Sequence, residues 1–212
     1  MDGWRFDADA RRRAHGARLV GVDEAGRGPL AGPVVVAAVA LPEEPSQALR
    51  EARDSKLMTP KSREKLFGVI RSQALCVCVA WAHPAAIDEV NILKATLLAM
   101  GRASRRAAAR TGGKSFLVLV DGPRSIPAFE LPQRTVVDGD ARSLSIAAAS
   151  IVAKVVRDRW MARQHRRFPG YGFAQHKGYG TKAHLAALDE LGPCAAHRRS
   201  YAPVARCLEA VR

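Results

Sequence analysis

No run of apolar residues in this 212-residue chain approaches the roughly 20 needed to cross a bilayer, and Pro and Gly interrupt the longest ones. The opening residues, MDGWRFDADARRRAHGARL, mix acids and bases without a continuous apolar segment, which excludes a secretory signal and makes the cytoplasm the expected compartment. Cysteine is scarce, with Cys76, Cys78, Cys194 and Cys207 only. No second Cys or His pair stands at a zinc spacing, so buried free thiols are expected rather than a metal module or a disulfide framework. Acids are in deficit. Twenty Asp and Glu stand against 34 Lys and Arg, a formal net charge of +14. A surplus of that size points to a polyanionic partner, usually nucleic acid.

The apolar fraction of 48% and charged fraction of 25% are those of an ordinary globular protein. There is no long polar linker and no internal repeat. Residues 1–16 read as a flexible basic arm, and 17–212 as a single domain. Apolar runs at 18–23 and 33–41, parted by Gly and Pro, predict strand, turn, strand. Thr59 and Pro60 predict a helix start. ALCVCVAWA alternates as a strand does, with both sulfurs on one face, and NILKATLLAMGRASRRAAAR has helical spacing. KSFLVLVDG and RTVVDGD read as further strands. One long helix over 141–168 follows, with Leu144, Ala148, Ile151 and Val155 as its apolar stripe. Helices near 181–191 and at the C-terminus close the chain. The order implies an α/β protein, a mixed sheet flanked by helices.

Three strand-like runs end in acid: Asp23 and Glu24 in VGVDEAG, Asp121 in LVLVDG, and Asp140 in VVDGD. Taken singly, each is explained by turn chemistry. Brought to one sheet edge, four carboxylates repel unless a cation lies among them. Hard divalent ions prefer such oxygen ligands, and phosphodiester hydrolysis with two metal ions uses this arrangement. Asp88 and Glu89, in AAIDEVNIL, are also adjacent acids but precede a helix, with Asn91 as a candidate cap. They read as helix-start chemistry.

Five blocks in order, GVDEAGRGPLAGPVV, DSK at 54–56, VLVDG, DGDARSLSIAAASIVAKVVRDR and FAQHKGYGTKAHL, resemble the bacterial ribonuclease HII family. The resemblance extends from residue 18 to HRRSYAPV near 204. It implies a ribonuclease H-like fold with a mixed five-stranded sheet and a small C-terminal helical segment. It also implies an endonuclease that cuts the RNA strand of RNA–DNA hybrids and incises 5′ to single ribonucleotides in duplex DNA. The ends left are 5′-phosphate and 3′-hydroxyl, and the implied roles are ribonucleotide excision and RNA primer removal during replication. Carried over by position, Asp23, Glu24, Asp121 and Asp140 are the catalytic carboxylates, binding Mn²⁺ or Mg²⁺. Gly26, Arg27 and Gly28 read the 2′-hydroxyl through backbone groups, the one group separating RNA from DNA at a nucleotide. Tyr179 stacks on the sugar beside the junction, and Lys56 and Lys154 are candidates for phosphate contact. A monomer is the family default.

Two departures stand out. Asp138 replaces the Lys that usually precedes the Gly-Asp pair, which leaves Asp138 and Asp140 competing for the fourth ligand position. Asp140 is preferred on the Gly-Asp match. The N-terminal extension is too short for the added domain of ribonuclease HIII, and the C-terminus shows no sliding-clamp motif. His176, His184 and His197 lack paired spacing and read as surface or phosphate-facing residues. Competing readings are a type 1 ribonuclease H or resolvase, opposed by the GRG turn after the acid pair, and a non-catalytic basic nucleic-acid-binding protein, opposed by retention of four acids that would repel a polyanion.

Overall fold

A computed structural model describes residues 2–52, 58–112 and 115–210. The sheet is five-stranded with order β3-β2-β1-β4-β5, where β1 is Arg18–Ala25, β2 Val34–Ala40, β3 Cys76–Ala82, β4 Phe116–Asp121 and β5 Gln133–Val136. Strand β1 pairs antiparallel with β2 and parallel with β4, and β4 pairs parallel with β5, so the sheet is mixed as expected. Every residue of β2, VVVAAVA, is buried. That explains a continuous apolar run in place of alternation, because both faces are covered. Strand β3 alternates buried and half-buried residues. Its Cys76 and Cys78 are buried free thiols with sulfurs 3.5 Å apart, while Cys194 and Cys207 are free and half-buried.

By internal contacts the described chain divides into two compact units, at places where composition shows no break. The first holds residues 1–25, 35–80 and 97–155, and with them most of the sheet. Helix α2 is Gln47–Arg50, and α3 is Pro60–Gln73, opened by Thr59 accepting from the Ser62 amide with Pro60 in its first turn. Helix α5, Ile92–Thr111, is capped by Asn91, whose Oδ1 accepts from the Lys94 amide at 3.0 Å. The predicted single helix over 141–168 is two: α6, Gly139–Arg142, and α7, Leu144–Arg167. They part at Ser143, whose backbone is extended. Helix α7 crosses β1 so closely that a Cβ on Gly21 would lie 2.1 Å from the Ser145 backbone. Only glycine allows that approach.

The flexible basic arm expected over residues 1–16 is corrected by the structure. Gly3–Arg13 forms helix α1, with Asp2 accepting from the Trp4 amide and Phe6, Asp7 and Ala10 buried. Phe6 and Ala10 sit one turn apart and pack with Leu19, Leu119, Val136 and Ile146. Burying a phenylalanine side chain contributes about 2 kcal/mol, enough to seat a short helix whose other face is basic.

The second unit holds residues 26–34, 81–96 and 156–212. It contains α4 (Pro84–Val90), α8 (Phe173–His176), α9 (Lys182–Leu191, capped by Thr181) and α10 (Ala202–Ala210). Here the reading of Asp88 and Glu89 as helix-start residues is corrected. They lie in the last turn of α4, and Asp88 accepts from the Arg199 amide, the Ser200 amide and the Ser200 hydroxyl at 2.9, 2.9 and 2.6 Å. Among the described residues no helix is long and apolar enough to cross a membrane.

Candidate active site

The carboxylates belong to the first unit, and strand register sets their spacing. Val22 of β1 pairs with Val120 of β4 in parallel register. Asp23 and Asp121, one residue further along each strand, are therefore lateral neighbours on the same sheet face. Gly21 shares that face and is the residue crossed by α7. Asp23 is 5% exposed. Burial first, then the charges of Glu24 and Asp121, hold its carboxyl well above the ordinary range. A hydrogen bond from Ser150 of α7 and one from the Glu24 amide at 2.6 Å oppose that shift and orient the group.

Asp140 is placed by another route. Asp121 Oδ1 accepts from the Gly139 amide at 2.7 Å, which ties the start of α6 to the end of β4. Asp140 follows in the first turn of α6 and is buried, whereas Asp138 is exposed with a left-handed backbone. Of the two acids flanking Gly139, Asp140 is the buried one. It was expected at the end of a strand, but β5 stops at Val136. Among the described residues no three His, Cys, Asp or Glu side chains are already closed into a metal-ligand group. The donor set nevertheless fits a hard divalent cation: all donors are carboxylate oxygens, and Asp23 is driven toward its protonated form by burial first and then by the charges of Glu24 and Asp121, which a cation would offset.

Lys154 is half-buried on α7, one turn beyond Ser150. Lys56 lies outside the described residues. Sequence reasoning missed Ser150, whose only signal is a lone hydroxyl in the apolar segment AAASIVA, and the Gly139 amide, which as a backbone group has none.

The second unit carries the other candidates. Arg27 and Gly28 are exposed in a turn, and Gly26 is half-buried. A Cβ on Gly28 would stand 3.8 Å from Cε1 of Tyr179, whose side chain is exposed. Two expected substrate residues far apart in sequence are thus neighbours. The stretch carrying Tyr179 is held from both sides, by its amide to the His176 carbonyl at 2.9 Å and by its carbonyl accepting from the Thr181 amide at 2.8 Å.

The expectation that His176, His184 and His197 face the surface or phosphate is corrected for two of them: His184 is fully buried and His197 is 3% exposed. The His184 ring stacks on His176 with centroids 4.4 Å apart. Backbone partners fix the tautomers. His197 Nδ1 accepts from the Cys194 amide at 3.0 Å, so its Nε2 carries the proton donated to His184 Nε2, also 3.0 Å away. His184 Nδ1–H then donates to the Tyr179 carbonyl at 2.9 Å. Burial above all pushes both imidazoles down, His197 to about 4.

The family model for ribonuclease HII matches residues 20–204. The chain is 55% identical over 192 residues to a ribonuclease HII of Acidovorax sp. strain JS42, covering 91% of this chain and 88% of that protein. It is 51% identical over 198 residues to one from Geobacter metallireducens, covering 93% and 89%. Among solved structures, ribonuclease H2 of Pyrococcus horikoshii superposes with a TM-score of 0.73 at 26% identity, over 91% of this chain and 98% of that one. A Bst ribonuclease HIII in complex with Mn²⁺ has a similar fold, with a TM-score of 0.79 at 16% identity over 96% and 73%.

Proposed function

The chain belongs to the ribonuclease HII family, and we propose on that premise that it incises duplex DNA 5′ to a single embedded ribonucleotide and cuts the RNA strand of RNA–DNA hybrids. The products are a 5′-phosphate and a 3′-hydroxyl, and the cellular work is ribonucleotide excision and RNA primer removal. The observation that carries the reading is Asp23, a buried carboxyl held against Glu24 and Asp121 at the cost of a raised pKa. A protein gains nothing in stability from such repulsion, so a site with a use for it is the economical explanation.

Asp23, Glu24, Asp121 and Asp140 would hold the divalent ions, Mn²⁺ or Mg²⁺. When bound, these ions supply an activated water and a countercharge for the leaving oxygen. Ser150 and the Glu24 amide orient Asp23, and the Gly139 amide orients Asp121. Gly26, Arg27 and Gly28 contact the ribose through the backbone. Tyr179 offers its ring to the neighbouring sugar, and Lys154 and Lys56 meet phosphate. The formal charge of +14 draws the polyanion to the surface.

The test is a labelled DNA duplex with one ribonucleotide, incubated with Mn²⁺, Mg²⁺ or a chelator. Incision on the 5′ side of the ribonucleotide is expected with either metal, and none in chelator. Cleavage confined to long RNA tracts, with the single-ribonucleotide duplex intact, would overturn the reading.

A further inference from the structure

Two arginines lie buried in the second unit beneath the turn that carries Gly26, Arg27 and Gly28. Arg157 of α7 is 1% exposed and Arg198 is fully buried. Buried guanidiniums ordinarily pair with carboxylates, but among the described residues neither of these makes an ion pair. Their partners are main-chain carbonyls. Arg157 donates from Nε to Pro33 O at 3.1 Å and from Nη2 to Ala31 O at 3.0 Å. Arg198 donates from Nε to Gly32 O at 2.9 Å, from Nη1 to Arg27 O at 2.8 Å, and from Nη2 to Gly26 O. Tyr201 completes the set: its hydroxyl accepts from Arg198 Nη1 at 2.9 Å and donates to Arg27 O at 2.6 Å. Carbonyls from five of the eight residues 26–33 are therefore turned toward buried cations.

A trans peptide holds its C=O and N–H on opposite sides. With the carbonyls of Gly26 and Arg27 drawn inward, the N–H groups of Arg27 and Gly28 point the other way. Successive amides aimed outward in this manner form a concavity suited to an electronegative oxygen. The fit is close, because Gly26 has a φ of +96° and a Cβ there would fall 1.9 Å from Arg157 Nε. Packing alone does not require two charges here, since apolar side chains of similar volume would fill the space without the desolvation penalty. Burial and the neighbouring Arg198 push the Arg157 guanidinium down only to about 10, so it stays charged at neutral pH.

We infer that Arg198, braced by Tyr201 and seconded by Arg157, is a positioning residue for ribonucleotide discrimination: by holding the Gly26 and Arg27 carbonyls inward it aims the Arg27 and Gly28 amides at the substrate's sugar–phosphate backbone. The inference rests on the proposed reading of residues 26–28 as the ribose contact. None of the three residues need touch the nucleic acid. Their effect falls on the step that separates a ribonucleotide from a deoxyribonucleotide, and not on general attraction to DNA.

The experiment measures cleavage of a duplex with one ribonucleotide in Mn²⁺, with an all-DNA duplex of the same sequence as competitive inhibitor. Arg198→Lys keeps the charge but loses the forked geometry. Its kcat/KM is expected to fall by about tenfold or more, the loss appropriate to a misdirected charge-assisted hydrogen bond. Tyr201→Phe removes one hydroxyl and is expected to fall by about threefold to tenfold. In both variants the inhibition constant of the all-DNA duplex is expected to stay at the wild-type value. Wild-type kcat/KM in both variants, or kcat/KM and DNA affinity weakening in parallel, overturns the inference. If Arg198→Lys does not fold, Tyr201→Phe decides. A wild-type protein that cuts at the ribonucleotide while the variants discriminate as well as it does sinks the positioning role alone. A wild-type protein that leaves that duplex uncut sinks the ribose reading and this inference with it.

Discussion

Asp7 Oδ2 accepts both the amide and the hydroxyl of Ser145, at 2.8 and 2.6 Å, across 138 residues of sequence. Its other oxygen accepts from the Ser143 hydroxyl at 2.6 Å. The first helix thus supplies the cap for α7 at the joint where α6, bearing Asp140, ends. Capping by a residue so distant ties the N-terminal segment to the start of α7, next to the helix that carries Asp140.

Asp7→Ala is expected to lower stability by about 2 kcal/mol, since it removes a cap and leaves buried hydroxyls without their acceptor. Asp7→Asn, which keeps one acceptor oxygen, is expected to lose less. Urea unfolding midpoints for the three proteins check the order.

Asp121→Asn is expected to slow cleavage by more than about 100-fold, beyond the loss seen when an outer-shell partner is removed. Binding to an RNA–DNA hybrid is expected to survive, because one fewer negative charge faces the polyanion. A variant that cuts at the wild-type rate would remove the metal-site reading.

Tyr179 is 48% exposed, so Tyr179→Ala is expected to leave the melting temperature nearly unchanged. Its kcat/KM on a single-ribonucleotide duplex is expected to fall by about tenfold, the scale of one lost stacking contact. A large drop in melting temperature with unchanged kcat/KM would assign the ring to structure instead.

His197 carries a pH prediction. Its imidazole is ordinarily half-protonated near 6.5, but burial holds it at about 4 in the fold. Between those values the unfolded chain binds a proton that the folded chain refuses. Stability is therefore fully present above pH 6.5 and declines as pH falls toward 4, by about 3 kcal/mol for the full interval. Thermal melts from pH 7 to 4 are expected to show the decline, and His197→Gln to flatten it.

Much of the site was legible because local chemistry marks it. Val22 and Val120 are strand residues by type, and Asp23 and Asp121 interrupt apolar runs where a carboxylate has no packing role. Thr59 and Pro60 announce a helix on their own. What escaped notice depends on partners far along the chain. Phe6 and Ala10 were obscured by Arg11, Arg12 and Arg13, and their packing surface comes from Leu119 and Ile146. Asp88 looks like a helix-start acid until Arg199 and Ser200 are placed beside it. Arg157 and Arg198 lie in basic stretches, VVRDR and HRRS, where no residue type marks a guanidinium as buried. Their buried partners are carbonyls, and carbonyls are the same at every position of a sequence.

The contact at Gly21 has a mechanical consequence. Two residues before Asp23, main chain rests on main chain, with the Ser145 backbone directly above. Side chains in a core can adjust by changing rotamer, but two backbones in contact cannot, so this point acts as a fixed stop against which α7 is seated. The height of Ser150 above Asp23, and hence the aim of the first carboxylate, is measured from that stop. A single added methyl group at residue 21, touching no ligand, would tilt the whole helix and detune the acid beneath it.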